Sequence, residues 1–447
     1  MTFLSFVFLA SLHGFGSTVL GLFRVPQSLL RCAAAYLVGS AFASLLFFVT
    51  LVYGLDIYRS FGLVLIFVGV GAVYSWGSIV YWREIKQLLV TVLPRNRTEQ
   101  TVFFLIAALL SFVIVMNYFW SHTDWDAITL YDYRAHVLLE VGFLRPLFKT
   151  IQDIYLLSYP WHTSILFLQQ YILGAWNGMA MFSLLLVSML FTFFSLIEST
   201  MGRFHAYIAS LALLSVPLIF AHTMIAYTNF PYMVYWGLGV CCLLSWISSR
   251  RFENVAVGSL LIAGSMWIRQ SEPFWLIAVL LLLYGCVTLL QWKASLWLLP
   301  IVGVWRGWNL YVHGILKQVL PPTSAELTTY EKGGSMMSSL STLLDLHRWG
   351  SVLEHLVRYA VPIWGPWVLF FILLLLSQRR SKDQLPLIFS VLASVGAIVL
   401  GTYLFANNTY WSEIVDSFQR LLLFAFPVFI YSTFNVIKSP KNTYVKK

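Results

Sequence analysis

Apolar runs of roughly twenty residues recur along this chain, separated by short polar breaks. A helix of about twenty apolar residues matches the hydrocarbon thickness of a bilayer. Spans are expected at about 3–23, 32–53, 61–82 and 101–119. After a long polar loop they resume at about 179–197, 205–221, 230–247, 254–268, 273–291, 294–311, 361–377, 385–404 and 420–437. The pattern therefore predicts an all-α polytopic membrane protein, a bundle of about 13 transmembrane helices. A transmembrane barrel would instead alternate polar and apolar residues in segments of about ten.

Basic residues set the orientation, because short inner loops collect Lys and Arg. The segments 24–31, 82–97, 248–252, 291–293 and 377–382, with Arg203 and the tail 438–447, alternate as inner loops on one condition. The run 159–175 must not cross the membrane. Pro160, His162, Thr163, Gln169, Gln170 and flanking tryptophans fit a helix lying in the outer interface. The loop 120–178 and the segment 312–359 are then extracytoplasmic. The segment 312–359 carries Pro321-Pro322 and Gly333-Gly334, which mark a loop, and from Leu343 a second interfacial helix is expected. Three regions follow: N-terminal helices over 1–100, a membrane region with the outer loops over 101–437, and a basic tail over 438–447.

Composition agrees with this picture. The 447 residues are 59% hydrophobic and 10% charged, against about 25% charge in soluble domains. The first run lacks a basic leader and reads as a retained span. Cys32, Cys241, Cys242 and Cys286 all lie in apolar runs and read as packing residues. The net charge of +10 sits in clusters beside spans, which assigns it to topology and lipid headgroups rather than to nucleic acid.

The loop 120–178 concentrates the candidate chemistry. It holds Asp124, Asp126, Asp132, Glu140 and Asp153, five of the chain's 18 acids. Asp124 and Asp126 follow a span within HTDWDA. Two carboxylates one residue apart at a membrane edge repel, and desolvation raises a carboxylate pKa, which suits a general base. The same oxygens suit a divalent metal, or Asp124 can cap the helix that follows. Asp132 and Glu140 read as partners in local ion pairs. Arg134 is placed to hold a phosphate through its planar fork. His122, His136 and His162 lack zinc-ligand spacing. Arg269 and Arg420 sit at outer helix ends and Arg306 deeper in a run, where an anionic partner is expected. No nucleotide-binding motif is present, so an activated donor would be lipid-borne.

The order of these pieces resembles the GT-C superfamily of membrane glycosyltransferases, whose relatives include protein O-mannosyltransferases and lipid A aminoarabinose transferases. The resemblance rests on DWDAITLYDYRAHVLLEVG, an acidic pair before a Y-x-x-x-A helix. It rests also on Tyr159-Pro160-Trp161-His162 at a Y-P-P-L position, and on AYTNFP, with Asn229 where aspartate is common. MWIRQSEP stands at an R-x-E-G element with Pro273 for glycine, and SFQRLLLFAFP runs from Arg420 to Pro427. Together they cover residues 101–437.

The resemblance implies a GT-C-like bundle and a polyprenyl- or dolichyl-phosphate sugar donor. The acceptor would be a lipid, glycan or protein, and transfer would occur with inversion outside the cytoplasm. In that scheme Asp126, with Asp124, deprotonates the acceptor. Arg269, Arg420 or Arg134 stabilises the leaving lipid phosphate, while Tyr159, His162 and Arg306 line the substrate. No cofactor is implied beyond a divalent metal at Asp124 and Asp126. A bacterial or archaeal cell membrane is expected. A secondary transporter or flippase is the alternative from another class; it would carry its substrate site near the midplane, at broken helices.

Overall fold

A computed structural model describes residues 2–120, 127–145, 157, 159–269, 274–316, 345–355, 357–358, 361–377, 384–405 and 416–437. Their regular elements are all helices, and no strand occurs among the described residues. In chain order, α1 (Phe3–Leu22), α2 (Leu29–Val52), α3 (Ile57–Trp76), α4 (Ile79–Val92) and α5 (Arg97–Phe119) come first. A π-helical turn, Ala127–Asp132, leads into α6 (Tyr133–Val141), followed by α7 (His162–Ile172), α8 (Ala180–Met201), α9 (Arg203–Leu214) and α10 (Pro217–His222). Then come α11 (Asn229–Ser249), with a π-helical turn at Met233–Gly237, α12 (Phe252–Ile268), α13 (Phe274–Thr288) and α14 (Leu298–Leu310). The described chain closes with α15 (Leu346–His355), α16 (Val361–Ser377), α17 (Leu385–Phe405) and α18 (Asp416–Ile437).

Local sequence explains where several helices begin. Ser28 caps α2 by accepting from Arg31 N–H, and Asp56 caps α3 by accepting from Tyr58 and Arg59 N–H. Asn96 caps α5 through Glu99 N–H, while the Glu99 carboxylate reaches back to Arg95 N–H. Each side-chain oxygen satisfies an amide that the first helical turn leaves without a partner.

Among the described residues, six helices are long and apolar enough to cross a membrane: α1, α2, α3, α5, α8 and α11. Phe252–Ile268, Phe274–Thr288, Leu385–Leu400 and Arg420–Val436 are shorter apolar helices. Three expected spans are broken. The run 205–221 splits into α9 and α10 because Pro217 has no N–H and forces Val216 into extended backbone. The run 61–82 stops at Gly77, and α4 restarts as an amphipathic helix with Tyr81, Glu84 and Leu88 inward. The run 294–311 opens as a 3-10 turn, Trp292–Trp297, before α14.

The centre of the bundle is the hairpin of α11 and α12. α11 is buried over nearly its whole length, and α12 has no exposed residue from Asn254 to Ile268. α2 flanks this hairpin. Tyr235 Oη donates to Leu37 O at 2.6 Å, and Trp267 Nε1 donates to Ser44 Oγ at 2.9 Å. α18 packs on the other side, with Pro427 against Gly237, where a Cβ would lie 2.8 Å from the proline ring. α1 and α2 approach through small residues: a Cβ at Gly16 would fall 1.8 Å from Ala35 O. Such close backbone approach is how helices associate where lipid removes the hydrophobic drive.

α7 departs from expectation in its setting. Its 11 residues rise about 16 Å, too little to cross a core of about 30 Å. It does not lie on the surface of the bundle, however. Residues 162–170 are all buried among α2, α6, α8 and α11, with His162 edge-on to Tyr235 and Phe167 beside Phe182. α15 is amphipathic and mostly exposed, with Trp349 stacked on Tyr403.

Candidate functional site

Arg134 is the interior anchor of the loop region. α6 turns it inward with Ala135, Val137 and Leu138, and the preceding π-helical turn buries Ala127, Leu130 and Tyr131. The side chain is 0% exposed. Its Nε donates to Ser164 Oγ at 3.1 Å, and its two terminal nitrogens donate to Tyr159 O at 2.8 Å and Pro160 O at 3.0 Å. The guanidinium carbon stands 4.4 Å from the centroid of the Trp161 ring. Expected as a phosphate holder, Arg134 instead grips the Tyr159-Pro160-Trp161 turn and the start of α7. A buried cation needs such partners, since desolvation without them costs several kcal/mol.

Trp161 packs in the interior beside Arg134. It is fully buried against Phe48, whose ring also meets Trp267, Trp308 and Tyr311 at centroid distances of 5.0–5.8 Å. This aromatic nest ties the loop to α2, α12 and α14. Trp120 is exposed, and Trp125 lies outside the described residues.

Tyr159 leads from the anchor to a second group of residues. Thr228 Oγ1 lies 2.8 Å from Tyr131 Oη and 3.4 Å from Tyr159 Oη, and the two tyrosine rings meet edge to face. On either side of Thr228, neighbouring residues take the two outer arginines. Asn229 Oδ1 accepts from Arg269 Nη1, and the Tyr227 ring lies 5.6 Å from the Arg420 guanidinium. Arg269 also lies 5.4 Å over Phe424, one helical turn beyond Arg420. Residues four apart share a helix face, so Arg269 lies over the side of α18 that carries Arg420. Four chain segments thus converge on Tyr227-Thr228-Asn229. Both outer arginines are half-buried, where an ion pair or anion contact is stronger than in bulk water.

His162 opens α7, and its ring meets Tyr235 edge to face. Burial pushes its imidazole down to about 3, leaving it neutral at physiological pH. Neither ring nitrogen has a hydrogen-bond partner among the described residues. Asp132 accepts from the Tyr171 hydroxyl and lies 3.6 Å from His136, so its expected local pairing is present. Glu140 is exposed on α6. Arg306 was expected to need an anionic partner. It is exposed on α14 and makes no hydrogen bond or ion pair among the described residues, because the helix turns it outward rather than into the bundle.

Asp124, Asp126 and His122 lie outside the described residues, as do Asp153 and residues 270–273, 317–344 and 406–415. The described chain resumes at Ala127, on the turn that carries Tyr131. Among the described residues, no group of three or more His, Cys, Asp or Glu side chains is arranged to hold a metal. All four cysteines are free and buried.

Sequence reasoning singled out Tyr159, Arg269 and Arg420, and the fold brings them together. It missed Thr228 and Tyr131 as their connection. A threonine between Tyr227 and Asn229 carries no signal until two distant tyrosines close on it. The described residues form a helical bundle, apolar enough for a membrane, with two arginines and a tyrosine–threonine cluster gathered at Tyr227-Thr228-Asn229. No family model, curated protein or solved structure matches this chain.

Proposed function

We propose that this protein is an integral-membrane glycosyltransferase. It moves a sugar from a polyprenyl- or dolichyl-phosphate donor to an acceptor, with inversion at the anomeric carbon. The observation that carries the reading is the convergence of Arg269, Arg420 and Tyr159 on Tyr227-Thr228-Asn229. Two half-buried guanidinium groups on one helix face suit a lipid phosphate, whose charge grows as the glycosidic bond breaks. The nearby tyrosine and threonine hydroxyls suit the neutral hydroxyls of a sugar.

In this reading Asp126 takes the proton from the acceptor hydroxyl, with Asp124 beside it. The acceptor oxygen attacks the anomeric carbon, and the lipid phosphate leaves towards Arg269 and Arg420. The site faces the extracytoplasmic side of the membrane. Arg134 serves as a positioning residue, holding the Tyr159 turn against the cluster.

Binding tests the phosphate site. Purified protein in lipid nanodiscs is titrated with polyprenyl phosphate and with a polyprenyl-phosphate sugar. Arg269→Ala and Arg420→Ala should each weaken both ligands by about 10–100-fold, the size of a charge-assisted contact. Equal affinity in wild type and both variants would remove the assignment. Transport of the intact donor across a sealed bilayer without sugar transfer would instead support the flippase reading, to which the breaks at Pro217 and Met233–Gly237 lend some support.

A further inference from the structure

α4 lies between two helices that are long enough to cross a membrane, α3 and α5. Its 14 residues rise about 21 Å, short of a core of about 30 Å, so the end of α3 and the start of α5 fall on one side. One face of α4 is committed to the protein through Tyr81, Glu84 and Leu88. The other face presents Trp82, Arg83, Lys86, Leu89, Val90 and Leu93, all exposed, and Arg95 and Arg97 follow, also exposed.

The acids of this stretch do not neutralise that surface. Between residues 79 and 99 there are two, Glu84 and Glu99, and both are buried. Glu84 pairs at 4.0 Å with Arg31 on α2, and Glu99 accepts from the Arg95 backbone N–H at 2.7 Å. Four exposed cations therefore stand beside exposed apolar side chains without an exposed acid among residues 79–99. The platform is also fixed at its far end. Arg203 Nη1 donates to Leu93 O at 2.8 Å, and the Tyr207 hydroxyl donates to Val92 O. Trp82 is held by its Nε1, which donates to Trp76 O at 2.7 Å.

We infer that this face of α4 is a docking site for anionic phospholipid. Arg83, Lys86, Arg95 and Arg97 meet the headgroup phosphates, while Trp82, Leu89, Val90 and Leu93 rest against the acyl region. Charge complementarity selects the occupant: a zwitterionic lipid satisfies the apolar residues but leaves four cations without an excess of negative charge. The site is independent of the glycosyl-transfer reading, whose residues lie elsewhere.

The test uses the full-length protein in detergent micelles, titrated with fluorescent phosphatidylglycerol and phosphatidylcholine. Wild type should prefer phosphatidylglycerol. Arg83→Gln with Lys86→Gln should lower that preference about 25-fold, near fivefold for each cation removed. Because these side chains are exposed, the thermal midpoint should hold. A control at a neutral exposed residue of the same helix, Gln87→Ala, should leave the preference intact. No preference in wild type, no loss in the α4 variant, or equal loss in the control would each overturn the inference. Binding of poly-glutamate in place of lipid would assign the surface to an acidic soluble partner and overturn it too.

Discussion

At Arg134 a guanidinium with five donors meets two carbonyl oxygens, a hydroxyl and a tryptophan face, all in the interior. Lysine keeps the charge but not the planar fork, so it cannot serve Tyr159 O, Pro160 O and Ser164 Oγ together. Arg134→Lys is expected to cost about 3 kcal/mol or more, read as a lower thermal midpoint and reduced folded yield. A midpoint unchanged from wild type would show the contacts to be dispensable. His162 supplies a pH test. Its folded value of about 3 lies below the ordinary 6.5, so the unfolded chain binds more protons between those values. Stability from this residue is present above pH 6.5 and falls as the pH drops towards 3, by up to about 1.4 kcal/mol per unit. His162→Leu should flatten that part of the stability–pH profile; an unaltered slope would place the titration elsewhere. These roles were only partly legible beforehand. Arg134 was noticed for its charge, but the backbone oxygens that hold it belong to Tyr159 and Pro160, 25 and 26 residues away.

Helices were the most legible elements, because hydropathy over twenty residues reports burial or lipid exposure directly. The expected runs 3–23, 361–377 and 385–404 differ by no more than one residue at either end from α1, α16 and α17. The breaks were harder to see. Pro217 and the Gly77-Ser78 pair sit within apolar composition, so a windowed average passes over them, although proline chemistry alone would have marked the first. The burial of α7 was not legible either. Its polar residues resemble an interfacial helix, and only the packing of Arg134, Tyr235 and Phe182 around it reveals an interior position. Contact between α1 and α2 gives a prediction at this scale. Gly16→Leu and Gly39→Leu each drive a side chain into a backbone oxygen less than 2 Å from the new Cβ. Both should abolish or strongly destabilise the folded protein. Gly62→Ala on α3, where no atom lies within 4 Å, should leave the thermal midpoint within about 0.5 kcal/mol of wild type. Equal stability of all three variants would contradict the close approach.

Across the whole molecule, the α11–α12 hairpin is a buried post around which distant segments are gathered. α2 and the aromatic nest hold the Tyr159 turn on one side, and α18 brings Arg420 and Phe424 to the other. Sequence order indicated that an acidic loop, a tyrosine–proline turn and two later arginines belong together. The fold joins Tyr159, Arg269 and Arg420 at Tyr227-Thr228-Asn229, excludes Arg306 and gives Arg134 a supporting part. Sugar transfer from a lipid phosphate, with Asp126 as the base, is the activity we propose. Its most direct test is donor consumption by purified protein in nanodiscs, across a panel of polyprenyl-phosphate sugars with membrane glycans, lipids and proteins as acceptors. Wild type should release polyprenyl phosphate from at least one donor. Asp126→Asn, folded to the same thermal midpoint, should lose at least about 100-fold of that rate, the lower end of what a positioned general base contributes. Full turnover by Asp126→Asn, or donors that are neither bound nor consumed by wild type, would rule this activity out.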